Sequence, residues 1–325
     1  MKRICGVVLA LLVGLVVNVP SGEAQSKIVL KAGHTSSLIY QHHIGLLKMN
    51  DEIKKRTNGQ IEIQIFPMSQ LGNERDLVEG VQLGTVDMTV VSNAMVSNFV
   101  PEAIVFDLPY LFDDQDHALR TLMSPTGQRI MQQVEQKVGK LLTYYATGVR
   151  SVFNRVRPVR TPEDMKGLKI RVIQNKIYIA TINAIGGIGT PLAFSEVYGA
   201  LQQGVIDGAE NSPVSLLGMK HYEHAKYYSL TNHFVLSGQM FINWNRWKSF
   251  TPEQQKIIAD AAQLSQKMEY DYEKEKDIES LAKLRELGVQ IIENVNRAPF
   301  AERARAVWRE VPEYASLIEE IRKVK

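Results

Sequence analysis

Cysteine is almost missing from this sequence: of 325 residues only Cys5 carries a thiol. It sits in an apolar and small run from Ile4 to Val17, preceded by Lys2 and Arg3 and followed by Pro20, Gly22 and Ala24. That is the grammar of a secretory leader with a small-x-small cleavage site near Ala24, and Cys5 falls too early in it for lipid attachment. Cleavage would leave a chain starting near Gln25 without disulfides, thiol nucleophiles or thiolate metal sites, held together by its cores alone. The leader is shorter than the roughly 20 residues of a spanning helix, and no later run approaches that length. A soluble, exported, periplasmic product is expected. Charge of one sign is lacking too: the formal net charge is +3, and losing Lys2, Arg3 and Glu23 leaves about +2, without the basic excess of a nucleic-acid binder.

Signatures of catalysis are absent as well. No G-x-S-x-G, H-E-x-x-H or P-loop pattern occurs. "GGIG" at 186–189 follows a helix-like stretch, whereas a dinucleotide loop follows a strand. His221 and His224 in "HYEH" have the spacing of two metal ligands without a third, and read as helix-surface residues. Met68, Met88 and Met95 read as core fillers. No catalytic residue, metal or cofactor is expected.

What is present is a repeated α/β pattern. "KIVLKAG" (27–33) reads as a strand, Leu38 to Lys55 as an amphipathic helix and "QIEIQIF" (60–66) as an alternating strand, which together make a parallel unit. "LVEGVQLGTVD" (77–87) and "VYGALQQGVID" (197–207) then share a frame: a helix ended by glycine (Gly84, Gly204) and a short strand closed by aspartate (Asp87, Asp207). Upstream, Gly59 precedes "QIEIQIF" and Gly167 precedes "LKIRVI", so the two strands are expected to be counterparts. Two similar lobes imply a cleft, and clefts between lobes favour small ligands. Further on, Thr251, Pro252 and Gln254 form a capping box. Apolar positions follow at Ile257, Ala261, Leu264, Met268, Tyr272, Ile278, Leu281 and Leu284, as far as Gly288. A helix of about 35 residues would span roughly 50 Å, long enough to lie across both lobes; a break at the charged "EKEKD" run is equally allowed, the run itself reading as a solvated face.

The stretch "TPEDMKGLKIRVIQN" (161–175) adds the chemistry. Thr161 and Pro162 start a single helical turn, Gly167 ends it, and in "LKIRV" the residues Leu168, Ile170 and Val172 share one face while Lys169 and Arg171 share the other. Arg171 is either an exposed strand residue or, near the carboxyl end of a strand, a group aimed into the ligand crevice. Arg150, Glu74, Asn211 and His34 recur at similar strand ends and helix starts. A guanidinium binds a carboxylate through a planar fork, and an amide both donates and accepts, so such a set suits an acidic, hydroxylated solute.

"MSQLGNERDLVEGVQLGTVDM", "VPEAIVFDLPYLF", "RPVRTPEDMKGLKIRV" and "PLAFSEVYGALQQGVIDGAEN", in this order, resemble the DctP family over nearly the whole mature chain. These are the extracytoplasmic solute-binding subunits of tripartite ATP-independent periplasmic (TRAP) transporters. The resemblance implies an α/β, two-lobed periplasmic-binding-protein-like fold with the ligand cleft between lobes and the long C-terminal helix bracing both. The expected division is 1–24 for the signal peptide, 25–148 plus 236–275 for the first lobe and 149–235 plus 276–325 for the second. It implies ligand contacts at Arg171 (the carboxylate), Arg150, Phe194, Asn211, Glu74 and His34, with Ser92, Asn93 and Met95 in a segment that varies with ligand. One departure is Ser212, where many members have proline after "EN". The implied partners are a small organic acid and the small and large membrane permease components, with no nucleic acid and a monomeric state; a periplasmic enzyme or a sensor-coupled subunit are the competing classes. Two arginines can hold two carboxylates, as a C4-dicarboxylate requires, or share one. A carboxylate at Glu74 would repel a second ligand carboxylate and accept hydroxyls, which favours a sugar acid such as a uronate or aldonate over a dicarboxylate or 2-oxo acid.

Overall fold

The computed structural model describes residues 27–324; the expected leader, Cys5 and the cleavage site near Ala24 lie outside them. A single mixed sheet contains β1 (Ile28–Gly33), β2 (Ile61–Phe66), β3 (Met88–Ser92), β4 (Lys140–Asn154), β5 (Lys169–Val172), β6 (Ile188–Pro191), β7 (Gly208–Asn211), β8 (Tyr227–Ile242) and β9 (Gln290–Ile292). Their order is β2-β1-β3-β8-β4-β7-β5-β6, with β9 also paired to β8. The long strands β4 and β8 form an antiparallel ribbon from Lys140 opposite Ile242 to Asn154 opposite Tyr227. At one end of the ribbon β3 joins β8; at the other, β7 joins β4. Each end carries a parallel three-stranded group, β2-β1-β3 and β6-β5-β7, covered by helices as buried parallel strands require.

The sequence repeat is the signature of this duplication, down to single hydrogen bonds. The carboxylate of Asp87 accepts the Lys31 N–H at 2.8 Å, and that of Asp207 accepts the Lys169 N–H at 2.9 Å. The backbone N–H of each aspartate returns a bond to the same lysine's carbonyl. Gly84 and Gly204, at φ +81 and +70, allow the two turns that lead to them. Two expectations need correction. The aspartates stand before β3 and β7, not at their ends, because each closes a turn onto the neighbouring strand. The counterpart of the central strand β5 is β1, not β2, which is an edge strand matching β6. Helix–glycine–strand grammar recurs at every crossing of such a fold, so Gly59 and Gly167 mark similar turns at non-equivalent strands. The first helix also begins at Gln41 instead of Leu38, since residues 34–40 turn above the carboxyl end of β1.

The brace runs unbroken from Pro252 to Glu286. Its start is the expected box: Thr251 Oγ1 accepts the Gln254 N–H at 3.2 Å while Gln254 Oε1 accepts that of Thr251 at 3.0 Å. Ile258, Ala261 and Ala262 complete the core around β1, β2 and the helix Gln41–Arg56, whereas Leu284 enters the core around Phe153, Leu201 and Tyr228 at the other end. The buried face between them is not the apolar stripe. Leu264, Met268 and Ile278 are exposed, and Ser265, Glu269, Glu273 and Ser280 are buried instead. Glu273, in the charged run, therefore faces inward. The largest core runs from Leu77 through Phe106 and Tyr178 to Ile321. Beside it Ala315–Arg322 docks on the first half of the chain, the Ile321 carbonyl lying 3.1 Å from His117 Nε2.

Candidate functional site

The carboxyl ends of β1, β3, β5 and β7 meet at a cleft, partly open to solvent, lined by Glu74, Ser92, Tyr40, His42, Thr147, Arg150, Arg171, Phe194 and Asn211 among others. Concave places where a few polar groups converge are where small ligands bind.

Arg171 is the decisive residue. Pairing of β5 with β6 and β7 turns Ile170 into the core and Arg171 toward the cavity, where the residue keeps 3 % of its surface exposed. Its Nε–H and one Nη2–H donate to the Leu192 carbonyl at 3.0 and 2.8 Å. The remaining three N–H groups of the guanidinium are free of protein partners among the described residues. Its carbon lies 5.5 Å from the Phe194 ring centre, a cation–π contact. Burial lowers the pKa to about 10 even though Glu210 and Glu74 pull it upward. The group remains protonated near neutral pH, a buried cation with no carboxylate in ion-pair contact among the described residues.

Arg150 is different. Its Nε–H and Nη2–H donate to Glu210 Oε2 and Oε1 at 2.6 and 2.9 Å, the second Nη2–H donates to the Glu210 carbonyl at 2.7 Å, and Nη1 donates to Asn211 Oδ1 at 2.8 Å. Burial opposes the charge, yet Glu210 overrides it and holds the guanidinium firmly protonated. The pair is neutral as a unit and its planar fork is occupied. Asn211 Oδ1 also accepts the Ser212 N–H at 2.9 Å. Both partners are donors, so the amide oxygen is assigned and the NH₂ is left for the cavity. Proline at 212 could not make that bond; Ser212 aims Asn211 and caps the helix Pro213–Gly218.

On the facing wall Glu74 opens the helix Glu74–Leu83, but Asn73 and Asp76 cap it: the Asp76 carboxylate accepts the Asn73 N–H at 2.8 Å. The Glu74 carboxylate is thereby released to accept the Ser92 N–H and Oγ–H at 2.8 and 2.6 Å. Burial raises its pKa, with the Ser92 bonds opposing. Tyr40 donates to the Thr147 carbonyl at 2.8 Å. His42 lies 3.2 Å from the Ala146 carbonyl through Nε2; a carbonyl only accepts, so Nε2 carries the proton. Burial holds His42 neutral, its pKa lowered to about 3. One wall thus presents a free guanidinium and an amide NH₂, the other a carboxylate and small hydroxyls.

The family model of bacterial extracellular solute-binding protein, family 7 (DctP), matches residues 32–314. The chain belongs to the DctP family. A solved TRAP periplasmic solute-binding protein of Pseudomonas putida F1 with bound D-glucuronate is similar over 92% of this chain and 98% of its own, at 34% identity and TM-score 0.87. One from Polaromonas sp. JS666 bound to D-erythronate is similar over 92% and 99%, at 30% identity and TM-score 0.89. The C4-dicarboxylate-binding periplasmic protein DctP of Rhodobacter capsulatus is 30% identical over 95% of this chain and 91% of its own. This DctP chain is accordingly a non-enzymatic TRAP solute-binding protein with the two-lobed fold of that class.

Of the nine expected contacts, Arg171, Arg150, Asn211, Glu74, Phe194 and Ser92 line the cavity. Met95 borders a smaller neighbouring space of about 250 Å³ with Asn73, Glu74, Arg171 and Phe194. Two contacts stand elsewhere. Asn93 is fully buried, donating to the Ala103 carbonyl and Asp107 at 2.9 and 2.8 Å and accepting from Gln239; a side chain so committed belongs to the fold. His34 follows β1 beneath the surface, its Nε2 3.0 Å from His43 Nδ1, and burial lowers its pKa to about 3. His221 is no surface histidine either: it is fully buried between Phe153 and Phe194, 5.7 and 5.8 Å from their ring centres. Sequence reasoning missed Glu210, although an acid inside the strand "GAEN" carried the same signal as Arg171. Tyr40 and Thr147 had no signal, since irregular backbone places them; His42 sits in the first turn of the helix Gln41–Arg56.

Proposed function

We infer that this DctP chain captures a sugar acid, a uronate or an aldonate, in the periplasm and delivers it to a TRAP permease of a small and a large membrane component. The observation that carries the reading is the lone buried guanidinium of Arg171, whose free N–H groups suit one carboxylate bidentately. Glu210 already occupies the fork of Arg150, leaving a single Nη1–H, so a second carboxylate has no equivalent partner. Across the cleft the Glu74 carboxylate accepts hydroxyls and repels carboxylates, while Asn211, Ser92 and Thr147 supply further hydroxyl partners. Phe194 backs Arg171 and presents its ring to the C–H surface of the solute.

Bound ligand bridges the two walls, so its differential contacts stabilise the closed form, and that form is what the membrane partner reads. A thermal-shift screen of sugar acids, C4-dicarboxylates and 2-oxo acids tests the assignment. Stabilisation by glucuronate, galacturonate or a short aldonate is expected; stabilisation by succinate or malate alone overturns it in favour of the dicarboxylate reading, which the R. capsulatus relative represents. Two membrane-subunit genes beside this one would set transport apart from delivery to a sensor.

A further inference from the structure

The brace helix puts carboxyl groups where a helix normally puts leucines. Glu269, Glu273 and Asp277 follow at i, i+4 and i+8 on the face turned toward the sheet, flanked by Ser265 and Ser280; Glu269 is fully buried and Glu273 keeps 5 % of its surface. They lie under the point where the lobes meet. The Glu269 carboxylate accepts the Ala146 N–H at 3.0 Å, just where the β4–β8 register breaks between Ala146 and Val149. Gly148 stands there at φ +82, and a Cβ on it would come 3.1 Å from both Glu273 Oε1 and Ser212 Cβ. Thr147 and Arg150 of the same irregular stretch line the ligand cavity.

These acids lack counter-ions. Among the described residues none of the three forms an ion pair, and Glu269 Oε1 and Asp277 Oδ1 are buried without a hydrogen-bond partner. The groups facing them are few. The brace itself offers Lys274, which lies outward against Asp116 at 3.6 Å, and Tyr270, which donates to Asp116. β4 offers Tyr145, bonded to Ser265 at 2.7 Å. The segment before and into the first helix offers Tyr40 and the neutral His42. β8 offers Tyr228, bonded to the Asn211 carbonyl, and Arg150 is bound to Glu210. Glu273 and Asp277 stand one helical turn apart, so a charge on either disfavours a charge on the other.

We propose that Glu269, Glu273 and Asp277 form a proton-holding strip beneath the hinge, so that closing the lobes takes up protons and opening them, which hydrates the strip, releases them. The device rests on the two-lobe closure of the proposed function, but not on the choice of ligand. Burial raises all three carboxyl groups, Glu273 from 4.5 to about 7 and the other two well above their ordinary values. An acid with a higher pKa in the closed form favours closure at low pH and loses that contribution as pH rises from its open-form value to its closed-form value.

Spin labels at the exposed positions Lys55→Cys and Lys166→Cys, one beside β2 and one before β5, read the opening directly in the mature chain without ligand. The open population is expected to rise with pH from 5 to 8, by up to about tenfold per pH unit for each proton released. In Glu273→Gln with Asp277→Asn, which keeps size and hydrogen bonding but not the titration, the response should flatten; Glu269→Gln alone should reduce it. Equal pH responses in wild type and variants, or none in wild type, overturn the proposal. Titration with D-galacturonate across the same range should show affinity falling as pH rises. If that acid fails to bind while the ligand-free opening still follows pH, the ligand assignment fails and the hinge device stands.

Discussion

A guanidinium that is buried and unpaired is costly, and this chain keeps one beside another that is paired with a carboxylate. The asymmetry decides what each substitution does. Arg171→Lys replaces a planar fork by a point charge on a shorter reach; the fold should persist while sugar-acid affinity falls by about 30-fold or more, for a loss of roughly 2 to 5 kcal/mol. Calorimetry with the acid found by the screen checks this, and near-normal affinity would return Arg171 to an ordinary strand residue. Glu74→Gln keeps the shape and removes the charged acceptor, so affinity for a hydroxylated acid should weaken by roughly 1 to 3 kcal/mol. A dicarboxylate ligand would leave it nearly unchanged. Asp107 gives a pH signature of its own: it accepts bonds from Ser97 and Asn93 at 2.6 and 2.8 Å, yet burial raises its pKa from 3.8 to about 7. An acid raised on folding loses its contribution to stability as pH climbs through that window. Urea unfolding of Asp107→Asn should therefore depend less on pH between 4 and 7 than wild type does. Arg171 was legible in the sequence because a charge in an alternating strand must be either exposed or purposeful. Asn93 was misjudged because adjacency to Ser92 says nothing about which way a helix start turns the next side chain.

At the scale of elements, the twin aspartates make a controlled comparison. Asp87 and Asp207 bond their lysine N–H groups alike, but Asp87 also takes the Arg246 Nε–H at 2.8 Å in an ion pair. Asp87→Ala should cost more stability than Asp207→Ala, with roughly 1 to 3 kcal/mol for each backbone N–H left without its acceptor. Denaturant midpoints measure the difference, and a larger cost at Asp207 would contradict the equivalence of the two turns. The repeat was readable because glycine and aspartate are demanded by backbone geometry. Strand pairing order was not, since the same punctuation serves central and edge strands. The brace misled for another reason: apolar periodicity marks a buried face only where the surface beneath is apolar, and here the helix crosses a hydrogen-bonded bulge that takes serine and carboxyl groups.

For the whole molecule, the lobes share β4, β8 and the brace, so their relative movement must bend these three elements together. Saturation with ligand should contract the radius of gyration in small-angle scattering and raise the melting temperature, the stabilisation reaching about 2.7 kcal/mol at a ligand concentration of 100 Kd. Absence of contraction at saturation would argue against a closing cleft. The lobes were legible from the sequence through the repeat, but the place where they join was not, because the register break between Ala146 and Val149 leaves no mark in an apolar pattern.

The threefold crossing also sets a timetable for the chain. Neither lobe is a contiguous segment: the first needs the far half of β8 and Ile258 of the brace, and the second needs Leu284 and β9. Such long-range partners make for slow acquisition of structure. As residues emerge from the N-terminal end, β1, which ends at Gly33, is not fully covered until Ile258 has followed, more than two hundred residues later. A fragment stopped before about residue 250 would hold β1 to β8 without the helix that covers them, and should behave as an unfinished, sticky intermediate instead of a small binding module.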